Sequence, residues 1–149
     1  AGVAGAFLGA GATYWAAWRQ TPKPDVRIDG VALKWNAIGE GENLFIATVT
    51  NHGNAVAEIT RTELHATVDG SPVKASIGAI DVAGTLAAGA SKELWLDVAL
   101  PELMGNDVHE GRKRLRVTVT LHPTKGKAIR ANFVFSRDPG YGFVPSATP

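Results

Sequence analysis

Histidine and methionine are the side chains of this sequence that could bind a soft metal ion. There are five of them: His52, His65, His109, His122 and Met104. A blue-copper site requires a cysteine thiolate beside two imidazoles, and the sequence contains no cysteine, which also excludes disulfides and thiol chemistry. A histidine-only site would need two imidazoles to converge, but these residues fall in predicted turns, strands and connections. We therefore expect ordinary surface or strand-edge histidines and no metal bound by this chain.

Serine and carboxylate side chains form no recognisable catalytic motif in this sequence. The serines lack the strand, turn and helix context of a Gly-x-Ser-x-Gly nucleophile elbow. The segment Gly39-Glu40-Gly41 is not a phosphate loop, because no helix follows it and its acidic residues would repel phosphate. The glutamate pairs lie in or beside predicted loops and are expected to face solvent. The sequence thus predicts no catalytic residue among these candidates, which are Ser71, Ser76, Ser91, Ser136, Ser146, Glu40 with Glu42, and Glu58 with Glu63.

The charged residues are distributed very unevenly along the chain. Residues 1–18 carry no charge, whereas the rest holds all 15 Lys and Arg and all 14 Asp and Glu. At about 1.5 Å per residue, a helix of this length approaches the roughly 30 Å hydrocarbon core of a bilayer. The sequence therefore predicts a transmembrane helix over residues 1–19. Gly5, Gly9 and Thr13 recur every four residues and predict a helix-packing face for a partner helix, although an alanine-rich segment also produces such spacings by chance.

The apolar segment also has an alternative interpretation, an uncleaved signal peptide. No charged stretch precedes Phe7, which disfavours that interpretation. Because the sequence begins at Ala1 and not at methionine, we expect a processed or truncated product with residues upstream. Arg19, Lys23 and Arg27 alone would favour a cytoplasmic domain, but the positive-inside rule needs both flanks of the helix.

The residues after the apolar segment predict a mainly β fold. Residues 20–25 contain Pro22 and Pro24 and form a stiff linker. Residues 26–137 show the alternation of apolar and polar side chains that half-buried strands require. We predict a single seven-stranded antiparallel β-sandwich of cupredoxin or immunoglobulin type. Its predicted strands are 26–35, 44–50, 57–68, 73–80, 92–100, 115–121 and 129–135.

Two segments of the predicted domain do not alternate. Residues 101–112 predict a short helical turn or a loop that crosses between sheets. Residues 138–149 contain too much proline and glycine for a regular element and predict an extended tail. The formal net charge is only +1, and the basic run Arg112-Lys113-Arg114 is interpreted as a solvated strand edge. We therefore expect no nucleic-acid partner.

Several short motifs follow one another in an order that is known from a membrane enzyme family. They are Val49-Thr50-Asn51-His52-Gly53-Asn54 at a strand end, the turn Leu86-Ala87-Ala88-Gly89-Ala90, the hairpin Thr124-Lys125-Gly126-Lys127 and the closing Gly142-Phe143-Val144-Pro145. With the preceding apolar helix, they resemble the C-terminal membrane helix and cupredoxin-like domain of the B subunit of copper membrane monooxygenases, which include the particulate methane, ammonia and hydrocarbon enzymes.

This resemblance implies a non-catalytic structural part of a complex that oxidises a small apolar substrate. It implies an extracytoplasmic or periplasmic domain on a single-pass membrane protein, with other membrane subunits and lipid as partners. In that family copper is bound by another domain and by partner subunits, so no metal ligand carries over to this chain. Two alternatives stay open: a membrane-anchored immunoglobulin-like accessory or assembly module of another membrane or envelope complex, and a filament subunit.

Overall fold

The structure is a computed structural model that describes residues 21–34, 38, 40–138 and 142–148. The predicted transmembrane helix over residues 1–19 lies outside this range, as do its packing residues Gly5, Gly9 and Thr13. Among the described residues, no helix is long and apolar enough to cross a membrane.

The described residues form nine strands and one helix, so the prediction of a mainly β fold is confirmed. The elements in chain order are β1 (Val26–Leu33), β2 (Gly41–Asn51), β3 (Ala57–Val68), β4 (Ser71–Ile77), β5 (Gly84–Leu86), β6 (Ser91–Leu100), α1 (Glu102–His109), β7 (Leu115–Pro123), β8 (Ile129–Asp138) and β9 (Gly142–Thr148).

The strands form a nearly closed antiparallel sheet. Their order is β1-β2-β6-β4-β3-β7-β8-β9, and the short β5 pairs with β3 beside this path. The sheet folds into two layers, one with β1, β2 and β6 and the other with β3, β5, β7, β8 and β9. Strand β4 belongs to both layers, because its first residues pair with β3 and its last residues pair with β6. Strand β1 approaches β8 and β9 at the other side, which brings the two ends of the sheet close together.

The core lies between the two layers and is built from the inward half of each alternating strand. In β7, Leu115, Val117, Val119 and Leu121 are completely buried, as the alternation predicts. The predicted β7–β8 hairpin is confirmed, with Leu121 opposite Ile129 in an unbroken register. Burial of each large aliphatic side chain contributes about 1.5 to 3 kcal/mol, so these inward positions supply most of the stabilisation.

Two of the nine strands were not expected from the sequence. The prediction of an irregular tail over residues 138–149 is wrong for Gly142–Thr148, which pairs along β8 as β9. Proline is tolerated on an edge strand, because its nitrogen, which carries no hydrogen, can lie on the side without a neighbouring strand. Pro145 therefore does not prevent this pairing. Strand β5 has only three residues, too few to show a period of two. The connection after β6 contains α1, which agrees with the predicted helical turn.

The end of β2 fastens the linker to the domain. Asn51 is completely buried, and its side-chain oxygen accepts hydrogen bonds from the backbone N–H groups of Asp25 (3.1 Å) and Gly53 (3.0 Å). Its side-chain amide donates to the carbonyl oxygens of Ala55 (2.7 Å) and Leu86 (3.1 Å). A Cβ added at Gly53 would lie 2.2 Å from a linker carbonyl oxygen, so the linker can pass this closely only over glycine.

Candidate functional site

The outer side of β1, β2 and β6 carries an apolar centre, which we call the Trp95 face. Ala32 lies opposite Ile46, and Ile46 lies opposite Trp95, so the three form one row across the strands. Leu44 lies two residues before Ile46 on the same side of β2. Ile46, Leu44 and Trp95 are half-buried, and in the described part of the chain they do not pack against the core. They cover the outside of the sheet.

The backbone beneath Trp95 is held on both sides. Strand β6 pairs with β2 without interruption from Gly41 opposite Leu100 to Thr50 opposite Ser91. The Trp95 N–H donates to the carbonyl oxygen of Ile80 at 2.8 Å, and the Trp95 carbonyl accepts from the N–H of Gly78 at 2.7 Å. The Trp95 side chain is therefore presented from a rigid strand.

Charged groups surround this apolar centre. The Lys34 ammonium lies 4.9 Å from the centroid of the Trp95 ring, a cation–π distance. The indole N–H of Trp95 donates to Glu93 at 3.3 Å. Glu42 and Asp97 occupy outward positions of the paired strands β2 and β6. An apolar centre that contains tryptophan and is enclosed by a polar rim is the usual anatomy of a protein–protein interface.

The sequence pattern contains a signal for this face. Strand β6 is apolar at inward positions, and Trp95 is the large aromatic residue at an outward position between two of them. Ile46 likewise occupies an outward position between two inward residues of β2. A large apolar side chain at an outward position of an alternating strand is a better indicator of a surface site than any of the histidines.

The structure does not bring the candidate metal ligands together. His52 Nε2 lies 2.9 Å from Asp29, His122 Nε2 contacts Glu63, and His65 is exposed on β3. Within the described ranges there is no cluster of three or more His, Cys, Asp or Glu with the geometry of a metal site.

Glu63 lies in a small ionic cluster on the outer side of β3 and β7. It is in the middle of β3 opposite Thr120, so the prediction that it lies in or beside a loop is wrong and the predicted strand over residues 57–68 is correct. Arg61 Nη2 lies 3.0 Å and His122 Nε2 lies 3.1 Å from its carboxylate oxygens. The His122 contact does not have hydrogen-bond geometry, and this buried nitrogen has no hydrogen-bond partner among the described residues. Contact with His122 lowers the pKa of Glu63 most, and the charge of Arg61 lowers it further.

Several carboxylates have a lowered pKa in the folded protein, so we expect the protein to lose stability in acid. A group whose pKa is lower in the folded state stabilises the fold above its unfolded pKa, and this contribution disappears as the pH falls through the folded pKa. We expect the melting temperature to be level between about pH 7 and pH 5 and to fall below about pH 4. Besides Glu63, the carboxylates whose pKa is lowered are Asp25 by Arg27, Asp29 by Thr50 and His52, and Asp107 by Arg112.

Thermal unfolding followed by circular dichroism between pH 3 and pH 7 measures this effect. Glu63→Gln should make the fall at acid pH shallower, whereas Glu58→Gln on the same strand is the matched control. A melting temperature that rises as the pH is lowered to 3 would contradict the sign of this prediction.

The other candidates from the sequence lie mainly in strands. Ser91 Oγ lies 2.7 Å from Thr50 Oγ1 across β2 and β6. The basic run Arg112-Lys113-Arg114 lies between α1 and β7 and not in a strand, so its interpretation as a strand edge is wrong. Arg112 Nε lies 2.8 Å and Lys113 Nζ lies 3.5 Å from Asp107, and Arg112 also pairs with Glu110. The serines Ser71 and Ser76 lie in β4, and Ser136 and Ser146 lie in β8 and β9.

Comparison with known protein families gives no matching family model, and no curated protein matches the sequence. Three solved structures align with part of this chain. The secreted serine protease VesC from Vibrio cholerae has a TM-score of 0.49 and 20% identity, over 81% of this chain and 25% of that chain. The sporulation control protein Spo0M from Bacillus subtilis has a TM-score of 0.49 and 16% identity, over 72% and 46%. A protein from Archaeoglobus fulgidus has a TM-score of 0.45 and 12% identity, over 83% and 98%.

The chain therefore spans a quarter of the first of these structures and less than half of the second. None of the three is described as a monooxygenase subunit. At these identities and TM-scores the likeness carries no argument about function.

Proposed function

We propose that this chain is a non-catalytic structural subunit, or part of one, of a membrane complex, and that its β domain binds a protein partner through the Trp95 face. The observation that carries the proposal is the outward row of Ile46 and Trp95 on the paired strands β2 and β6. A rigid strand loses little conformational entropy on binding, and buried tryptophan is a frequent hot spot of interfaces. The uncharged residues 1–18 support attachment to a membrane.

The sequence resemblance supports a particular version of this proposal. In that version the chain has one N-terminal transmembrane helix and an extracytoplasmic cupredoxin- or immunoglobulin-like sandwich. It belongs to a copper membrane monooxygenase, and copper is bound by other parts of the complex. An accessory module of another membrane or envelope complex, or a filament subunit, are the alternatives.

Removal of the Trp95 side chain should release the partner. The full chain, tagged at its C-terminus, is purified from native membranes in mild detergent, and the co-purifying chains and copper are quantified. Truncation of an interface hot spot costs at least about 2 kcal/mol, so Trp95→Ala should weaken partner retention about 30-fold. The matched control is Leu103→Ala, because Leu103 is 79% exposed on α1, which contacts β8 in the other layer.

Each outcome of this purification tests one part of the proposal. Equal retention of the partner by Trp95→Ala and the control would exclude the Trp95 face as the interface. A partner complex without copper would exclude the monooxygenase version and leave the accessory module. A polymer that contains only this chain would favour the filament subunit.

A further inference from the structure

A cleft of about 810 Å³ lies where the linker joins the domain, and we call it the linker cleft. One wall is the linker itself, and the other walls are the start of β3 and the turn between β7 and β8. The cleft is lined by Pro22–Val26, Val56–Glu58, Pro123–Lys127 and Ile129.

Hydrogen bonds fix the linker wall in place. The N–H of His52 donates to the carbonyl oxygen of Asp25 at 2.7 Å, and the N–H of Asn54 donates to the carbonyl oxygen of Lys23 at 3.1 Å. The Asn54 side chain accepts from the N–H of Lys23 at 2.8 Å. On the opposite side, the N–H of Thr124 donates to the carbonyl oxygen of Glu58 at 2.9 Å. The cleft is therefore a preformed feature of the domain.

The side chains at this cleft combine positive charge with exposed apolar surface. Lys23, Lys125 and Lys127 are exposed around it and outnumber its two carboxylates, of which Glu58 is exposed and Asp25 is paired with Arg27 at 2.7 Å. Val56 is 56% exposed, a large fraction for an aliphatic side chain. Lysines around an apolar surface are typical of protein surfaces that contact anionic lipid headgroups.

The position of the cleft along the chain indicates that the anionic groups nearest to its lysines would be lipid headgroups. Only two residues, Arg19 and Gln20, separate the linker wall from the uncharged residues 1–18. Even a fully extended chain of three residues spans only about 10 Å, so Thr21 lies within that distance of residue 18. The headgroup region is about 5 to 7 Å thick on each side of the bilayer. The linker cleft is therefore within reach of the headgroups if residues 1–18 cross the membrane.

We propose that the linker cleft binds the phosphate groups of anionic lipids with Lys23, Lys125 and Lys127, and so holds the domain against the membrane. This inference rests on the proposed membrane attachment. Each lysine near an anionic surface changes the binding equilibrium about fivefold, so three together favour one orientation of the domain on the membrane. The same end of the domain presents Val56 to the interface.

A fluorescent label tests this orientation, because the sequence contains no cysteine and single sites can be labelled. The full chain with Thr124→Cys is labelled and reconstituted into vesicles of phosphatidylcholine alone, or with phosphatidylglycerol added, and quenching by a nitroxide on the lipid headgroup is measured. Leu103→Cys is the matched control, because Leu103 is exposed on α1. This helix connects the end of β6 to the start of β7, and the linker cleft lies at the other end of β7.

We expect phosphatidylglycerol to increase quenching at Thr124→Cys severalfold and to leave Leu103→Cys unchanged. We expect a roughly fivefold lower ratio of membrane-docked to undocked domains, about 1 kcal/mol, for each of the variants Lys23→Gln, Lys125→Gln and Lys127→Gln. Millimolar inorganic phosphate should not abolish the quenching that phosphatidylglycerol produces. If it does, at constant ionic strength, the cleft binds free phosphate in preference to the lipid surface, and the inference is overturned.

Different results would overturn the lipid inference and the proposed membrane attachment. Alkaline carbonate extraction of the same vesicles reports whether the chain is integrated into the bilayer. An integrated chain whose Thr124→Cys label is quenched equally with and without phosphatidylglycerol would overturn the lipid inference and leave the anchor intact. A chain released by carbonate would overturn the proposed membrane attachment itself.

Discussion

Asn51→Ala should lower the free energy of unfolding by about 3 to 5 kcal/mol, a large part of the stability of a domain of this size. The Asn51 side chain is completely buried and makes four hydrogen bonds with backbone groups, at 2.7 to 3.1 Å. Alanine would leave two N–H groups and two carbonyl groups without these partners. The penalty for an unsatisfied buried polar group is larger than the net contribution of the hydrogen bond that is lost.

Urea unfolding of the wild-type and variant chains gives this difference. Asn106→Ala on α1 is the matched control, since Asn106 is exposed and its loss should change stability by less than about 0.5 kcal/mol. Asn51→Asp keeps an acceptor oxygen but loses both N–H donors, so we expect it to be destabilising as well. Equal stability of Asn51→Ala and wild type would mean that water replaces the amide at this position.

The role of Asn51 shows what the sequence motif around it encodes. The segment Thr50-Asn51-His52-Gly53 carried part of the resemblance to the monooxygenase subunit. In the structure its asparagine and glycine fasten the linker against the end of β2, which is a requirement of the fold and not of a reaction. A motif of this kind therefore indicates shared architecture more strongly than shared activity.

Periodicity predicted the long strands well and the short or proline-containing ones poorly. Strands β7 and β8 show four or more alternations each, and burial of Leu115 and Phe135 follows the expected side. Strand β9 is defined by backbone pairing with β8, such as Phe135 opposite Pro145, and such pairing leaves no apolar period in the sequence. Three-residue β5 is fixed by its partner β3 for the same reason.

The candidate site was less predictable than the fold, because it depends on register between distant strands. Ile46 and Trp95 are neighbours only because β2 and β6 pair in one particular register. Glu63 and His122 likewise meet across β3 and β7, after a bulge near Ile59 shifts that register. The sequence shows that these side chains point outward, but it does not show which outward side chains are adjacent. The helix-packing role of Gly5, Gly9 and Thr13 stays a prediction.

Phe45→Ala should also lower the free energy of unfolding by about 3 to 5 kcal/mol. Phe45 in β2 and Phe135 in β8 are completely buried and come from opposite layers. Their ring centroids are 4.6 Å apart with an interplanar angle of 55°, a tilted arrangement that favours aromatic pairs. Alanine at either position would leave a cavity between the layers, because strands that are paired on both sides cannot move inward to fill it.

Chemical denaturation of a double-mutant cycle separates the ring contact from the cavity. The coupling energy between Phe45→Ala and Phe135→Ala should be about 0.5 to 1.5 kcal/mol. Ile46→Ala is the matched control, because Ile46 is the next residue of β2 and points away from the core, so its loss should cost no more than about 1 kcal/mol. Phe45→Leu fills most of the space and should also cost about 1 kcal/mol. If Phe45→Ala were no more destabilising than Ile46→Ala, the predicted cost of a cavity between the layers would be wrong.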